Sequence, residues 1–172
     1  KYIAGLIRRY APRGQTVLEL GCGTAKHAEL LAGDGFDLSC IEVSETMRAI
    51  ASERSLRLGR SGARSFDVHA GDARSVRLGK TFDAVISLFH VVSYQVEHDD
   101  VVAMFETVRD HLSDDGVFIF DVWYGPGVVN LRPSTRVKRM SDSSHEVFRV
   151  AEPSVDMNAN RVDVHYDIFV KD

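Results

Sequence analysis

Short apolar runs recur along this chain with helical patterns between them: TVLEL (16–20), DLSCIEV (37–43), FDVHAGD (66–72), FDAVISLFH (82–90) and VFIFDVW (117–123). That alternation is the mark of a parallel sheet covered by helices, because parallel strands need a long crossover between them. The run at 82–90 is apolar almost throughout, as expected of a central strand covered on both faces. Between the runs, residues 1–11 place Ile3, Leu6, Ile7 and Tyr10 on one helical face, ended by Pro12 and Gly14. Lys26 to Leu31 form a short helix ending near Gly33 and Gly35, and Ser44 caps a helix that lasts to about Arg60. Val101, Phe105, Val108 and Leu112 keep helical spacing until DDG (114–116).

After Gly125, Pro126 and Gly127 the pattern changes. TRVKRM, HEVFRVAEPSVDM and RVDVHYDIFV are strand-like with no helix between them, and Asn158 to Asn160 read as a hairpin turn. The fold class is therefore α/β: a Rossmann-like, doubly wound, mostly parallel sheet over residues 1–124, followed by an antiparallel strand appendage over 125–172 in the same structural unit.

A length of 172 residues suits one core, and a net charge of −4 offers no general attraction to phosphate backbones, so nucleic acid is not the expected partner. No apolar run nears the ~20 residues that span a bilayer, and the first residues lack the form of a signal peptide, so no membrane partner is expected. Cys22 and Cys40 are too few for a disulfide framework and have no metal spacing, which points to a reducing, cytoplasmic setting and no metal site. The chain begins without Met, which suggests a trimmed sequence.

In an open parallel sheet, ligands bind beyond the carboxyl ends of the strands. The first run ends in Glu19, Gly21, Cys22 and Gly23. The two glycines permit a tight turn and a close approach to the main chain, with free amides at the helix start that follows. A dinucleotide fingerprint needs a third glycine where Lys26 stands. Glu19 is an unfavourable neighbour for a pyrophosphate and an attractive one for an ammonium or sulfonium. At the second strand end Glu42, about 20 residues on, can accept from ribose hydroxyls. Asp72, after the third, can receive an exocyclic amine such as adenine's, or cap the next segment.

These elements together resemble the class I S-adenosylmethionine-dependent methyltransferases. VLELGCGTA matches the first motif of that family, IEVSETM the second, GDA the third, FDAVISLFHVVSYQ the fourth, and LSDDGVFIFDVW leads into the fifth strand. The resemblance implies S-adenosyl-L-methionine as cofactor and S-adenosyl-L-homocysteine as product. By it, Glu19 and the main chain of Gly21, Cys22 and Gly23 hold the methionine part, and Glu42 holds the ribose. Val43 or Met47 flanks adenine, with helix core as the other reading of Met47. Asp72 and Ala73 meet the adenine edge, Ser87, Leu88 and Phe89 close the pocket near the methyl, and Tyr2 covers the cofactor.

His90 is the histidine nominated for chemistry; His98, His111, His145 and His165 read as surface or appendage residues. The fourth motif reads SLFH where DNA amino-methylating enzymes carry Asn/Asp-Pro-Pro-aromatic, which disfavours base methylation. FDVWYGPGVVNLRPSTRVKR followed by antiparallel strands is similar to small-molecule methyltransferases of sugar pathways. That likeness implies a small-molecule acceptor, a sugar nucleotide among the candidates, methylated on N or O, and a homodimer through the appendage. The basic cluster Arg132 to Arg139 suits an anionic substrate or a solvated strand edge. The family fold continues past the appendage with a helix and a strand pair beside the fifth strand, so the expectation is a sequence truncated before its last strands. Two other readings stand: an NAD(P)-binding Rossmann protein and a non-catalytic nucleoside-binding domain.

Overall fold

Side-chain alternation along β1 (Thr16–Leu20) decides the layering of the first part of the chain. Val17 and Glu19 point to one face and Leu18 and Leu20 to the other, and all four are buried. The computed structural model describes residues 1–61, 64–142 and 144–171. They fall into two units, residues 1–122 and the segment from Trp123 onward.

In the first unit the order is α1 (Tyr2–Tyr10), β1, α2 (Lys26–Gly33), β2 (Asp37–Glu42), α3 (Glu45–Arg60), β3 (Asp67–Ala70), β4 (Phe82–Ser87), α4 (His98–His111) and β5 (Leu112–Phe120). The five strands form one parallel sheet in the order β3-β2-β1-β4-β5. Successive strands run outward from β1 on one side and then from β4 on the other, so the order reverses between β1 and β4. Ala4 and Ile7 of α1, Ala28 and Leu31 of α2 and Ala51 of α3 pack with Val17, Cys40, Ala84 and Ile86 on one face. Met104 and Val108 of α4 pack with Leu18, Leu20, Ile41 and Val85 on the other. Ser44 caps α3 by accepting from the Met47 amide at 3.4 Å.

The structure moves several expected boundaries. β4 stops at Ser87 because Phe89 and His90 both take φ of +65°, a left-handed pair that breaks the extended chain. β5 begins at Leu112, the last residue of the expected helical pattern, and runs through the DDG read as the helix stop. Its pairing with β4 jumps from Phe82↔Leu112 to Ala84↔Val117, so residues 113–116 bulge out of register. His111, read as a surface residue, is 1% exposed: its Nδ1 lies 2.7 Å from the Thr107 carbonyl and its Nε2 accepts from the Leu78 amide at 2.9 Å. Those partners fix the Nδ1–H tautomer of a neutral ring and tie α4 to the loop before β4.

The second unit holds α5 (Gly125–Asn130), a turn-and-a-half helix with Pro in its first turn, where the sequence suggested only a boundary. It also holds an antiparallel sheet, β6 (Arg136–Ser141), β7 (Glu146–Asp156) and β8 (Arg161–Lys171), in the order β6-β7-β8. The Asp156 carboxylate accepts from the amides of Asn158 and Ala159, and Asn160 has φ of +50°, which closes the expected hairpin. In the basic cluster, β6 is exposed along its length and Arg139 lies over the Phe148 ring at 5.0 Å.

Asp83 anchors the amino end of the sheet. Its Oδ2 accepts from the amides of Gln15 and Thr16, both at 2.9 Å, and from the Thr16 hydroxyl at 2.7 Å. The Thr16 hydroxyl in turn accepts from the Asp83 amide. The Thr16 hydrogen bonds hold the carboxyl below its ordinary pKa, opposed by partial burial. A group with a lowered native pKa contributes stability above its unfolded value and loses it as pH falls through the native one. Replacing Asp83→Ala is expected to cost about 2 kcal/mol at pH 7. In urea unfolding, the gap between wild type and Asp83→Asn should narrow below about pH 4, and a gap independent of pH would contradict this account.

Candidate functional site

The glycine loop after β1 is tied to the end of β2. The amides of Gly21 and Cys22 both donate to the Ile41 carbonyl, at 2.9 and 3.0 Å, and the Gly23 amide donates to Glu42 Oε2 at 2.8 Å. Gly21 has φ of +71°, and a Cβ there would lie 2.7 Å from Val91 Cγ1, so only glycine fits beneath the 3₁₀ turn Val91–Tyr94. Gly23 has φ of +57° and open space where a Cβ would stand. Glu42 Oε1 accepts from the Ser44 amide at 2.8 Å, so the carboxylate is fixed at both oxygens. A carboxylate oxygen accepts more than one hydrogen bond, which leaves both able to receive hydroxyls.

Glu19 lies at the same edge, 1% exposed, between Cys40 and Ile86 in the sheet register. Its Oε1 is 3.3 Å from His27 Nδ1, and its Oε2 is buried with no hydrogen-bond partner. Burial pushes the Glu19 carboxyl up, against the opposing pull of His27 and the Ala28 amide. The Glu19 hydrogen bond pushes His27 up, with a smaller contribution from Asp121.

Asp72 follows β3 and is held by Arg74. The guanidinium grips both carboxylate oxygens, with Nη2 to Oδ2 at 2.6 Å and Nε to Oδ1 at 3.0 Å, and Nη1 reaches Asp100 of α4 at 2.8 Å. The Arg74 side chain keeps the Asp72 carboxyl below its ordinary range. The Arg74 amide also donates to Asp72 Oδ1, so the capping role expected for Asp72 is present as a turn of its own. Ala73 packs beside the α4 face of the core.

The remaining candidates divide. Val43 and Met47 flank Glu42 and are exposed, Met47 by 46%, so Met47 is not part of the core. Ser87 is fully buried and donates to the Leu20 carbonyl at 3.2 Å, while Leu88 packs among the helices α1–α3; their side chains serve packing between strand ends. Phe89 is 77% exposed and rests beside the His90 ring, centroids 5.8 Å apart. His90 Nδ1 is 3.1 Å from Asp121 Oδ2, and its amide faces both oxygens of that carboxylate at 3.3 Å. Tyr2 opens α1 with an exposed ring.

Three neighbours were missed in the sequence: His27, Asp121 and Arg74. Asp121 follows the observed end of β5 as Glu42 closes β2, but the fifth apolar run extends to Trp123 in the sequence, which hides it inside the run. His27 faces Glu19 only because the loop folds α2 back over β1, and Arg74 gave no signal beyond its charge. The assembled edge offers a buried carboxylate oxygen that lacks a cation, a fixed carboxylate suited to a vicinal diol, and an open main chain between them.

Comparison with known proteins places the chain among methyltransferases. Residues 17–116 match the family model described as a methyltransferase domain. A dTDP-3-amino-3,4,6-trideoxy-α-D-glucopyranose N,N-dimethyltransferase of Streptomyces venezuelae is 30% identical over 167 residues, covering 96% of this chain and 66% of that protein. A dTDP-3-amino-3,6-dideoxy-α-D-glucopyranose N,N-dimethyltransferase of Streptomyces fradiae is 29% identical, covering 95% of this chain and 61% of that protein. The chain thus spans under two thirds of these curated relatives. The crystal structure of Streptomyces venezuelae DesVI superposes with a TM-score of 0.78 at 25% identity, over 98% of this chain and 73% of that one. An S-adenosylmethionine-bound amino pentose methyltransferase from Micromonospora echinaspora, CalS10, shares the fold with a TM-score of 0.76 at 24% identity, over 98% of this chain and 73% of that one. With its motifs, its strand order and the span of the family match in agreement, the chain belongs to the methyltransferase-domain family of class I S-adenosylmethionine-dependent enzymes.

Proposed function

We propose that this chain binds S-adenosyl-L-methionine at the ends of β1 and β2 and serves transfer of its methyl group to the amine nitrogen of a small molecule, a sugar nucleotide. The observation that carries the reading is Glu19: a buried carboxylate with one oxygen unsatisfied, beside a bare main chain, calls for a positive charge and repels a diphosphate. The acceptor class is supported by the amino-sugar N,N-dimethyltransferases that the chain resembles. The nicotinamide-dinucleotide reading is set aside, since the family is a methyltransferase one and Lys26 occupies the place of the third glycine.

When bound, the cofactor supplies an electrophilic methyl on a sulfonium, which departs as a neutral thioether. The work left to the protein is to hold donor and acceptor in line and to keep the attacking nitrogen unprotonated. Glu19 would receive the cofactor's ammonium, the main chain of the Gly21–Gly23 loop would border its methionine part, and Glu42 would accept the ribose hydroxyls. Val43 and Met47 would flank the adenine, and Asp72 with Ala73 would meet its edge. His90 is the base: Asp121, 3.1 Å from its Nδ1, orients the ring, and His90 takes the proton from the acceptor's ammonium, which frees the nitrogen lone pair for attack.

Two outcomes follow. Calorimetric titration should show S-adenosylmethionine binding where NAD does not, and Glu42→Gln, which keeps one acceptor oxygen but loses the other, should weaken that binding about tenfold. Unchanged affinity would remove Glu42 from the ribose. With an amino-sugar nucleotide as acceptor, His90→Ala should lower kcat by about 10²–10⁴ while the cofactor's Kd stays within about twofold. A kcat within threefold of wild type would exclude His90 as the base, and no methyl transfer by the wild type to any amino-sugar nucleotide tested would favour a nucleoside-binding domain without catalysis.

A further inference from the structure

The Glu19–His27 pair is a built site that the proposed chemistry uses on one side only. Glu19 comes from β1 and His27 from the second position of α2, and the loop between them folds the ring onto the carboxylate at 3.3 Å. The His27 ring is 43% exposed while Glu19 is buried, so the pair has one wet and one dry end. Glu19 Oε2, at the dry end, has no partner.

From α2 come His27 and the Ala28 amide. From β2 comes Cys40, a thiol pushed up by its hydrogen bond to Cys22, by burial and by Glu19 itself, and therefore neutral. Beyond β5 lies Asp121, which acts on His27 and is itself paired with His90. Arg54 of α3 is occupied by Glu29 and the Thr24 carbonyl. His27 is thus the only cationic group among the described residues in direct contact with Glu19, and Asp121 adds negative charge from the other side.

At 3.3 Å, a proton held between imidazole and carboxylate would balance the buried charge before a ligand arrives. An incoming ammonium at Oε2 would be a second cation on the same carboxylate, close to the first, and like charges that share a partner raise each other's cost. We infer that His27 is the positioning residue that keeps a counter-charge on Glu19 in the empty site, and that binding of the cofactor's ammonium expels that proton from His27 to solvent. The inference rests on S-adenosylmethionine being the ligand. The balance is complete: one proton leaves His27 through its exposed edge, one fixed cation arrives at Glu19, and no covalent bond changes.

The sign follows from mass action. A proton bound in the free protein and released on binding makes protons compete with the ligand, so affinity falls as pH falls. Below the raised His27 pKa the dissociation constant should rise by up to about tenfold per pH unit.

Isothermal titration of the intact protein with S-adenosylmethionine, at one pH in phosphate, imidazole and Tris, tests this directly. The observed enthalpy should change with the buffer's ionisation enthalpy in the sense of proton release. S-adenosylhomocysteine, which keeps the ammonium and lacks the sulfonium, should behave alike, while 5′-methylthioadenosine, which lacks the amino-acid part, should show no such dependence. His27→Gln should abolish the buffer dependence and flatten the fall in affinity between pH 7.5 and 5.5 to within about twofold per unit. A wild-type enthalpy that is the same in all three buffers overturns the inference while leaving the cofactor reading intact. So does buffer dependence that persists in His27→Gln. Failure of the wild type to bind S-adenosylmethionine at any pH overturns the cofactor reading, and this inference with it.

Discussion

Three hydrogen bonds tie the glycine loop to the end of β2, and the site depends on them. The Ile41 carbonyl takes the amides of Gly21 and Cys22, and Glu42 takes that of Gly23. Parallel neighbours normally diverge at their ends, each feeding its own crossover. Here the loop is drawn back across β2, which brings the helix start, the open face of Gly23 and both acids to one edge. The same tie explains why Gly21 cannot carry a side chain: the loop is pressed beneath the 3₁₀ turn after β4, and Val91 fills the space a Cβ would need. Strand order then does the rest, because the reversal between β1 and β4 leaves that edge free of a crossover on top.

The acids gathered there are handled in different ways. Asp72 lies in a guanidinium grip shared with Asp100, a local neutralisation that holds the loop after β3 to the start of α4. Glu42 is satisfied by two amides, which position it without cancelling its charge. Glu19 is the one left short, with a half-exposed histidine on one oxygen and no hydrogen-bond partner on the other. Burial of an ionised carboxylate is costly unless it is paired, so this arrangement stores a demand for positive charge that packing alone does not meet. An edge built from three carboxylates in these three states discriminates among ligands by where their charges sit.

Most of the architecture could be read from the sequence because it rests on local signals. The apolar runs mark β1, β2 and the core of β4 nearly to the residue, and Ser44 caps α3 where expected. What escaped depends on geometry that composition does not encode. Phe89 and His90 adopt left-handed backbone without being glycine, so the end of β4 was invisible. The bulge at 113–116 exists because β5 must stay in register with β4 across a turn that begins directly from α4. Six residues around Gly-Pro-Gly form α5 because proline suits a first helical turn, although the same triplet reads as a break. In the site, strand-end acids were visible one by one, while the pairings of Glu19 with His27 and His90 with Asp121 require the fold.

The histidines make the same point about chemistry. His111, His90 and His27 are all within reach of oxygen acceptors, yet their surroundings set three different roles. His111 has a carbonyl on one nitrogen and an amide on the other in a dry core, so both ring positions are committed and it can act only as a structural brace. His90 has a carboxylate on one side and a partly open ring, the arrangement in which a neighbouring acid orients an imidazole. His27 also meets a carboxylate, but that carboxylate is the buried member and the ring is the wet one, so the histidine serves the acid's need for charge. Reading a histidine therefore means asking which partner of the pair is desolvated. At His90 and Asp121 the two partners are about equally exposed, whereas at His27 and Glu19 the ring is wet and the carboxylate buried.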